Sequence, residues 1–313
     1  MRIVFMGTGE IALPCLEALL ASSQEIVGVV TQPDRPVGRH QEMHPPAPKV
    51  MAEAAGIPVL QPERLRSEED RAELAAMKPE LIVVMAYGQI LPKAVLDLPS
   101  LACINVHASL LPKHRGASCI QAAIAEGNLT SGVTIMHVSK GLDTGDVILR
   151  KEVPLASDET GGSLHDRLAD VSPPVLMEAL AQLEAGTARR EVQDEAEASY
   201  APKLLREDGR IDWELPAVEL ERRIRAFDPW PGTFALYKDV RGRERRLKIF
   251  PGGRVREGEG RPGGIQAGEE GEFLVACGTG LLTLAEAQPE GGRRMGVGEF
   301  MAGHFPSGEG QIF

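Results

Sequence analysis

Residues 103–116, C-I-N-V-H-A-S-L-L-P-K-H-R-G, place an amide and an imidazole two positions apart, at Asn105 and His107. Side chains at i and i+2 of a β-strand share a face, so an apolar strand ending here sets the two side by side. A second β-rich run, residues 132–138, leads into L-D-T-G-D at 142–146 and can return Asp143 to the same place. An amide, an imidazole and a carboxylate can stabilise an oxyanion, move a proton and orient the base, which acyl transfer to an amine requires.

The run N-x-H-x-S-L-L-P at 105–112, R-G-A at 115–117 and L-D-T-G at 142–145 together resemble the folate-dependent formyltransferases. The resemblance implies that Asn105, His107 and Asp143 are the catalytic residues. It also implies that 10-formyltetrahydrofolate is the co-substrate, with no permanently bound cofactor. The folate contacts that it implies are Ser109, Leu110, Leu111 and Pro112. A capped turn at a strand end is the purely structural alternative for the Asn-x-His pair, and the second motif argues against it.

The length and composition of the chain indicate a globular protein of two domains. A chain of 313 residues predicts two domains, and 43% hydrophobic with 25% charged residues is typical of a globular protein. No apolar stretch approaches the ~20 residues of a membrane span, and the N-terminus does not read as a signal peptide. The four cysteines form no C-x-x-C pair, so we expect reduced thiols, a cytoplasmic location and no metal site.

The charge distribution bears on nucleic-acid binding. A net charge of −11 argues against a general nucleic-acid binder, yet residues 206–313 carry 16 basic and 18 acidic side chains. That near-neutral segment permits a polyanionic partner without requiring one.

The pattern of elements predicts an α/β protein. Residues 1–186 alternate buried β runs with helical periods, which indicates a Rossmann-like formyltransferase domain with a mostly parallel sheet. Residues 32–48 are rich in proline and predict a loop, and a helix over 163–184 is expected to be interrupted near Pro173 and Pro174. Residues 187–205 are polar without periodicity and predict a linker. Residues 206–313 hold short β runs between Gly/Pro turns, which predicts a small OB-like β-barrel.

Two further segments could bind ligands in the first domain. Gly7-Thr8-Gly9 follows the first strand, but Ala12 replaces the last glycine of a dinucleotide fingerprint and no acidic residue ends the second strand, so we interpret it as a tight turn. Tyr87, Gly88 and Ile90 follow the run 81–86 and can contact a flat pteridine. The alternative is a turn with a buried Ile90/Leu91 pair.

The loop at 31–39 resembles that of formyltransferases that act on methionyl-tRNA, and the resemblance assigns a tRNA contact to Arg39. The family's lysines are replaced by H-Q-E-M-H at 40–44. In the C-terminal part, Arg243, Arg245 and Arg246 lie either along a phosphate track or on a solvated face. Ser118-Cys119 stands where the family commonly has Ala-Pro, a departure that can alter local stiffness but removes no proposed catalytic group.

The resemblance covers nearly the whole chain. It implies an enzyme that formylates the α-amine of initiator methionyl-tRNA and so supports translation initiation. It also implies a monomer. A glycinamide ribonucleotide transformylase would leave the C-terminal third unexplained. An amino-sugar nucleotide formyltransferase fits less well at 32–39 and 142–146. A nicotinamide-dependent oxidoreductase would need the missing acidic residue, and a non-catalytic RNA-binding protein would not need the catalytic trio.

Overall fold

A seven-stranded sheet, ordered β5-β2-β1-β6-β7-β8-β9, organises the first part of the molecule. In the computed structural model the described residues are 1–37, 41–65, 67–239, 241–268, 272–305 and 310–313. The first nine strands are β1 (Arg2–Gly7), β2 (Glu25–Val30), β3 (Arg35–Val37), β4 (Glu42–His44), β5 (Val59–Leu60), β6 (Leu81–Met85), β7 (Ala102–His107), β8 (Thr130–His137) and β9 (Val147–Pro154).

The sheet is mostly parallel, as predicted. Strands β5, β2, β1, β6 and β7 pair in parallel, and β8 is antiparallel to β7. All five residues of β6 are buried, which fits a parallel strand covered on both faces. The first six helices are α1 (Leu13–Leu20), α2 (Ala47–Ala54), α3 (Glu68–Ala76), α4 (Lys93–Leu96), α5 (Cys119–Ala125) and α6 (Gly161–Glu184).

The order of the strands places a crevice between β1 and β6. The chain proceeds outward from β1 to β2 and β5, then returns to the other side of β1 with β6 and β7. In open α/β sheets, ligands bind beyond the carboxyl ends of the strands at such a reversal. The segments that follow β1, β6 and β7 all leave the sheet at this end.

The segment 32–48, predicted as a loop, contains two short strands among its described residues. Strands β3 and β4 form a two-stranded hairpin there, in which Arg35 pairs with His44. Proline is tolerated in such an edge ribbon because only one side of each strand forms a ladder. Lys49 Nζ lies 3.0 Å from Asp34 Oδ2, which ties the base of the hairpin to α2.

Helix α6 runs through Pro173 and Pro174 without the predicted interruption. Each proline removes one backbone donor and would be expected to break the helix. Apolar side chains at helical spacing on both sides of the pair hold the helix together: Leu168, Leu176, Leu180 and Leu183 are all at most 7% exposed. Tertiary packing therefore outweighs the local propensity.

The predicted linker, 187–205, contains a segment with many specific contacts. Glu191 exchanges backbone hydrogen bonds with Val147, and Arg115 does so with Ser199 and Ala201. The chain folds into two compact units, one of Met1–Cys119, Ser131–Pro154 and His165–Ala201, and a second of Ile120–Thr130, Leu155–Leu164 and Pro202–Phe313. Nothing in the aperiodic polar sequence of 191–201 indicates that it packs with the first unit.

The second unit is built on two antiparallel sheets, ordered β10-β11-β16-β17 and β12-β15-β14-β13-β18. A bridge between Tyr237 and Ile312 links them, and both residues belong to an apolar core that also contains Trp213 and Phe300. The elements are α7 (Ala217–Ala226), β10 (Thr233–Lys238), β11 (Glu244–Ile249), β12 (Val255–Arg256), β13 (Gly264–Ala267), β14 (Phe273–Ala276), β15 (Leu281–Thr283), β16 (Glu286–Pro289), β17 (Met295–Gly296), α8 (Val297–His304) and β18 (Gly310–Gln311). Among the described residues, no helix combines the length and the apolar character that crossing a membrane demands.

Candidate active site

Strand β7 presents Asn105 and His107 on one face, two residues apart. Asn105 lies between Val84 of β6 and Met136 of β8, and His107 pairs with Thr134. Within the described part of the chain the half-buried Asn105 amide has no hydrogen-bond partner. Its two N–H donors are therefore available to a carbonyl oxygen at the carboxyl end of the sheet.

Both nitrogens of the His107 ring face protein oxygens. Nε2 lies 3.1 Å from the carbonyl oxygen of His114. A carbonyl only accepts, so Nε2 carries a proton and donates it. Nδ1 lies 3.8 Å from Asp143 Oδ2, a separation that brings charges together without a hydrogen bond. Nδ1 is therefore the nitrogen that gains or loses the titrating proton.

The structure brings Asp143 to His107, as the sequence predicted. Asp143 has a left-handed backbone, with φ of 53°, in the loop between β8 and β9. Its Oδ2 accepts the backbone N–H of Gly116 at 2.8 Å. Gly116 has φ of 111°, and a Cβ there would lie 2.6 Å from the carbonyl oxygen of Ala201, so glycine is required. Asp143 is thus fixed by the turn that follows β7.

Cys119 belongs to the site although no motif in the sequence assigns it there. Burial lowers the pKa of His107, but the charge and hydrogen bond of the Cys119 side chain raise it, and the Asp143 charge and the His114 carbonyl raise it further, to about 9. Cys119 lies 6% exposed at the start of α5. The one signal in the sequence is the departure from Ala-Pro at 118–119, which by itself indicates only a change in local stiffness.

The predicted folate contacts at 109–112 form a rigid turn. Ser109 is fully buried and its Oγ donates to the carbonyl oxygen of Lys113 at 2.7 Å, while its own carbonyl accepts from Thr134 Oγ1. Leu111 is 1% exposed, and Leu110 is partly exposed. Pro112 is buried as well. The side chains of Ser109 and Leu111 therefore shape the turn, and Leu110 offers the accessible apolar surface.

The second predicted folate segment follows β6. Tyr87 is 2% exposed, Gly88 is exposed with φ of 85°, and Ile90 is 78% exposed. β6 is the parallel neighbour of β7, so this segment leaves the sheet beside Asn105. Of the Ile90/Leu91 pair that the alternative would bury, Leu91 is 8% exposed and Ile90 is not buried, so the alternative holds for Leu91 alone.

Two polar residues that were not assigned to the site hold this segment. Thr8 Oγ1 donates to the carbonyl oxygen of Tyr87 at 3.0 Å, and Gln32 Nε2 donates to the same oxygen at 3.2 Å. The backbone N–H groups of Thr8 and Gly9 donate to Ala86. The hydrogen-bond donors of the turn after β1 thus hold the segment after β6. This use of the donors is expected of a tight structural turn.

The predicted tRNA contacts do not all lie together in the described part of the chain. Arg39 lies outside the described residues. Arg243 and Arg245 pair with Asp239, at 2.8 and 3.6 Å. Arg246 stacks over Phe234, with its guanidinium carbon 3.8 Å from the ring centroid. Arg245 and Arg246 are consecutive on β11 and lie on opposite faces, so the three arginines do not form one continuous track.

Two protein-family models together match most of the chain. The model of the family described as formyl transferase matches residues 1–180, and that of the formyl transferase C-terminal domain matches residues 203–305. A methionyl-tRNA formyltransferase of Akkermansia muciniphila is 54% identical over 306 residues, 97% of each chain. One of Pseudomonas paraeruginosa is 52% identical over 94% of this chain and 93% of its own.

A solved structure shares the fold. The N-formyltransferase of Helicobacter canadensis, in complex with folinic acid and dTDP-3-aminofucose, is 18% identical with a TM-score of 0.64, over 91% of this chain and 98% of its own. At that identity the likeness extends to the fold alone.

Proposed function

The chain belongs to the formyl transferase family, and we propose that it transfers the formyl group of 10-formyltetrahydrofolate to the α-amine of methionyl-tRNA. The resemblance indicated by the motifs at 105–117 and 142–145 is thereby confirmed. The observation that carries the proposal is the match to methionyl-tRNA formyltransferases at 54% and 52% identity across both units. The convergence of Asn105, His107 and Asp143 within the first unit supports it.

The reaction forms one C–N bond and breaks another. The uncharged α-amine of methionine attacks the formyl carbon, and the carbonyl oxygen becomes an oxyanion. The bond to N10 of the folate then breaks, and a proton passes from the attacking nitrogen to the leaving one. Asn105 donates to the oxyanion, because its amide has no competing partner in the described part of the chain.

His107 moves the proton and stabilises charge. Its raised pKa, about 9, keeps it protonated at neutral pH. Of the two oxygen atoms that face the ring, Asp143 Oδ2 at 3.8 Å is held more loosely than the carbonyl oxygen of His114, which accepts a hydrogen bond at 3.1 Å. The Nδ1 side is therefore the one that engages the reacting atoms, with Asp143 holding the charge nearby.

The folate lies in the crevice beyond β1, β6 and β7. Its flat ring contacts the Tyr87–Gly88 backbone and Ile90, and its path follows the turn at 109–112. Exposed Ile90 and partly exposed Leu110 provide apolar contact.

An amino-sugar nucleotide is the competing acceptor. It is favoured by one observation, the shared fold of the formyltransferase crystallised with dTDP-3-aminofucose. The sequence relatives at half identity favour methionyl-tRNA. We propose further that the acceptor is the initiator tRNA and that the enzyme is a cytoplasmic monomer, with four buried free cysteines suited to a reducing compartment.

An acceptor competition assay tests the function. Radiolabelled 10-formyltetrahydrofolate is offered with methionyl initiator tRNA, methionyl elongator tRNA, glycinamide ribonucleotide or a dTDP-amino sugar. We expect label in the initiator tRNA, with kcat/KM at least about a hundredfold above that for the small acceptors. Preferential labelling of the amino sugar would reject the proposal.

A further inference from the structure

We propose that Gln193, held in place by Arg115, is a positioning residue for Asp143, an inference that rests on the proposed function of Asp143. Gln193 lies 50 residues after Asp143, in the segment predicted as a linker. It is 5% exposed. All of the residues involved belong to the first unit.

The amide of Gln193 connects two segments. Its Nε2 donates to the carbonyl oxygens of Asp143 and Gly145, each at 2.8 Å. Its Oε1 accepts from Nε and Nη2 of Arg115, at 3.1 and 3.0 Å. Both donors and the acceptor of the amide are thus used, which fixes its orientation.

Arg115 is a buried cation that needs these partners. Its side chain is 0% exposed, and an unpaired guanidinium there would be costly. Glu195 accepts from Nη1 and Nη2 at 2.9 and 2.8 Å, a bidentate pair. The ring of Tyr200 lies 5.9 Å from the guanidinium carbon.

The same segment also fixes the backbone at 115–116. Arg115 donates its N–H to Ser199 and accepts one from Ala201, at 2.8 and 2.7 Å. The next residue, Gly116, donates the N–H that binds Asp143 Oδ2. Residues 193–201 therefore hold Asp143 by two routes, through its main-chain carbonyl and through the donor to its carboxylate.

The left-handed backbone of Asp143 explains why such support is needed. A residue other than glycine is strained at φ of 53° and persists there only when its surroundings fix it. Because the Asp143 carboxylate is 3.8 Å from His107, a small backbone shift would change its interaction with the imidazole. A misplacement of about 1 Å near reacting groups can cost on the order of a hundredfold in rate.

The test uses Gln193→Met in the full chain. This substitution keeps the length of the side chain, adds no charge, and removes the two donors to the Asp143 loop together with one acceptor of Arg115, which keeps Glu195. We expect kcat for methionyl-tRNA to fall at least about tenfold, with KM within about twofold. The pKa of His107, followed by NMR of its ring protons, should fall below the wild-type value because Asp143 moves away.

Glu197→Ala is the matched control, since Glu197 is exposed in the same segment, and neither readout should change. Thermal unfolding verifies that Gln193→Met folds. Glu195→Gln provides a second variant, because Glu195 is 70% exposed and its loss only loosens Arg115. We expect both kcat and the pKa of His107 to fall in Glu195→Gln, by less than in the Gln193 variant.

Three results would overturn the proposal. The first is a folded Gln193→Met variant with wild-type kcat and wild-type His107 pKa. The second is a loss of kcat with an unchanged His107 pKa, because Asp143 would then be in place. The third is a raised KM with unchanged kcat, which would make the segment a substrate contact. If the wild-type enzyme does not formylate methionyl-tRNA, the proposed function fails, but the NMR measurement still tests the positioning of Asp143.

Discussion

Asn105 and His107 share a strand face but differ in what they contact. The imidazole is engaged on both sides by protein oxygens, whereas the amide faces the crevice without a partner in the described part of the chain. Asn105→Ala removes a donor that the folded state does not use. We therefore expect kcat to fall about 10²–10³-fold, with the thermal unfolding temperature unchanged. Steady-state formylation and calorimetry check both, and turnover within threefold of the wild type would contradict the role.

The raised pKa of His107 predicts the basic limb of the pH–rate profile. If the reaction needs the imidazolium, kcat/KM declines as pH rises through about 9. Cys119→Ala removes one of the causes that raise this pKa, so the limb should move to lower pH. Cys103→Ala, also buried on the first unit, is the control and should leave the limb in place. An identical profile for Cys119→Ala would show that the thiol does not tune His107.

The same group links stability to pH. Because the folded pKa, about 9, lies above the unfolded value of about 6.5, the folded state binds the proton more tightly. This contribution to the free energy of unfolding is present in full below pH 6.5 and is lost as pH rises through 9. Urea unfolding between pH 6 and 10 measures it, and the decline should be shallower in His107→Gln. Parallel curves for the two proteins would be inconsistent with the shift.

The loop between β8 and β9 determines where Asp143 stands, and Gly145 limits how that loop can fold. A Cβ at Gly145 would lie 1.7 Å from the carbonyl oxygen of His137, whereas one at Gly141 would meet only the side chain of Thr144. Gly145→Ala should therefore destabilise the protein by about 1–3 kcal/mol and lower kcat. Gly141→Ala in the same loop should affect both far less. Equal effects from the two variants would mean that the contact with His137 does not constrain the loop.

The elements that can be predicted best from sequence are those with one dominant hydrophobic pattern. Continuous apolar runs such as residues 81–86 identify buried parallel strands, and the alternation of β and α patterns gives the Rossmann-like order. The pairing of β3 with β4 cannot be predicted from sequence because the proline content of the segment outweighs a short edge pairing. The interruption predicted in α6 is absent because the burial of Leu176 and Leu180 outweighs the helix-breaking tendency of the two prolines.

The candidate site was predictable where the chemistry lies in short motifs and unpredictable where it depends on tertiary contact. Asn105 and His107 follow from strand periodicity. The assignment of Cys119 beside His107, and of Gln193 beside Asp143, needs the packing of segments far apart in sequence. No local pattern around Gln193 distinguishes it from the other polar residues of 187–205.

At the scale of the whole molecule, the excess of negative charge makes the position of each cation important for tRNA binding. Arg245 and Arg246 lie on opposite faces of β11, so both cannot contact one phosphate track. We expect one of Arg245→Gln and Arg246→Gln to reduce the slope of log K against log salt by about one, and the other to leave it unchanged. Filter binding of methionyl-tRNA at several salt concentrations measures this. Equal reductions in both variants would contradict a single track across this sheet.

The contact between Gln193 and the Asp143 loop also sets an order for events during synthesis. Chains emerge N-terminus first at about 5–20 residues per second, so Gln193 follows Asp143 by roughly 3–10 s. During that interval a nascent chain already carries Asn105, His107, Asp143 and the Gly116 N–H that binds the carboxylate, but it lacks the Gln193 donors to the Asp143 loop and the partners that this segment offers to Arg115. A chain stalled on the ribosome before residue 193 would thus transfer the formyl group at least about tenfold more slowly, and full activity would require residues 193–201.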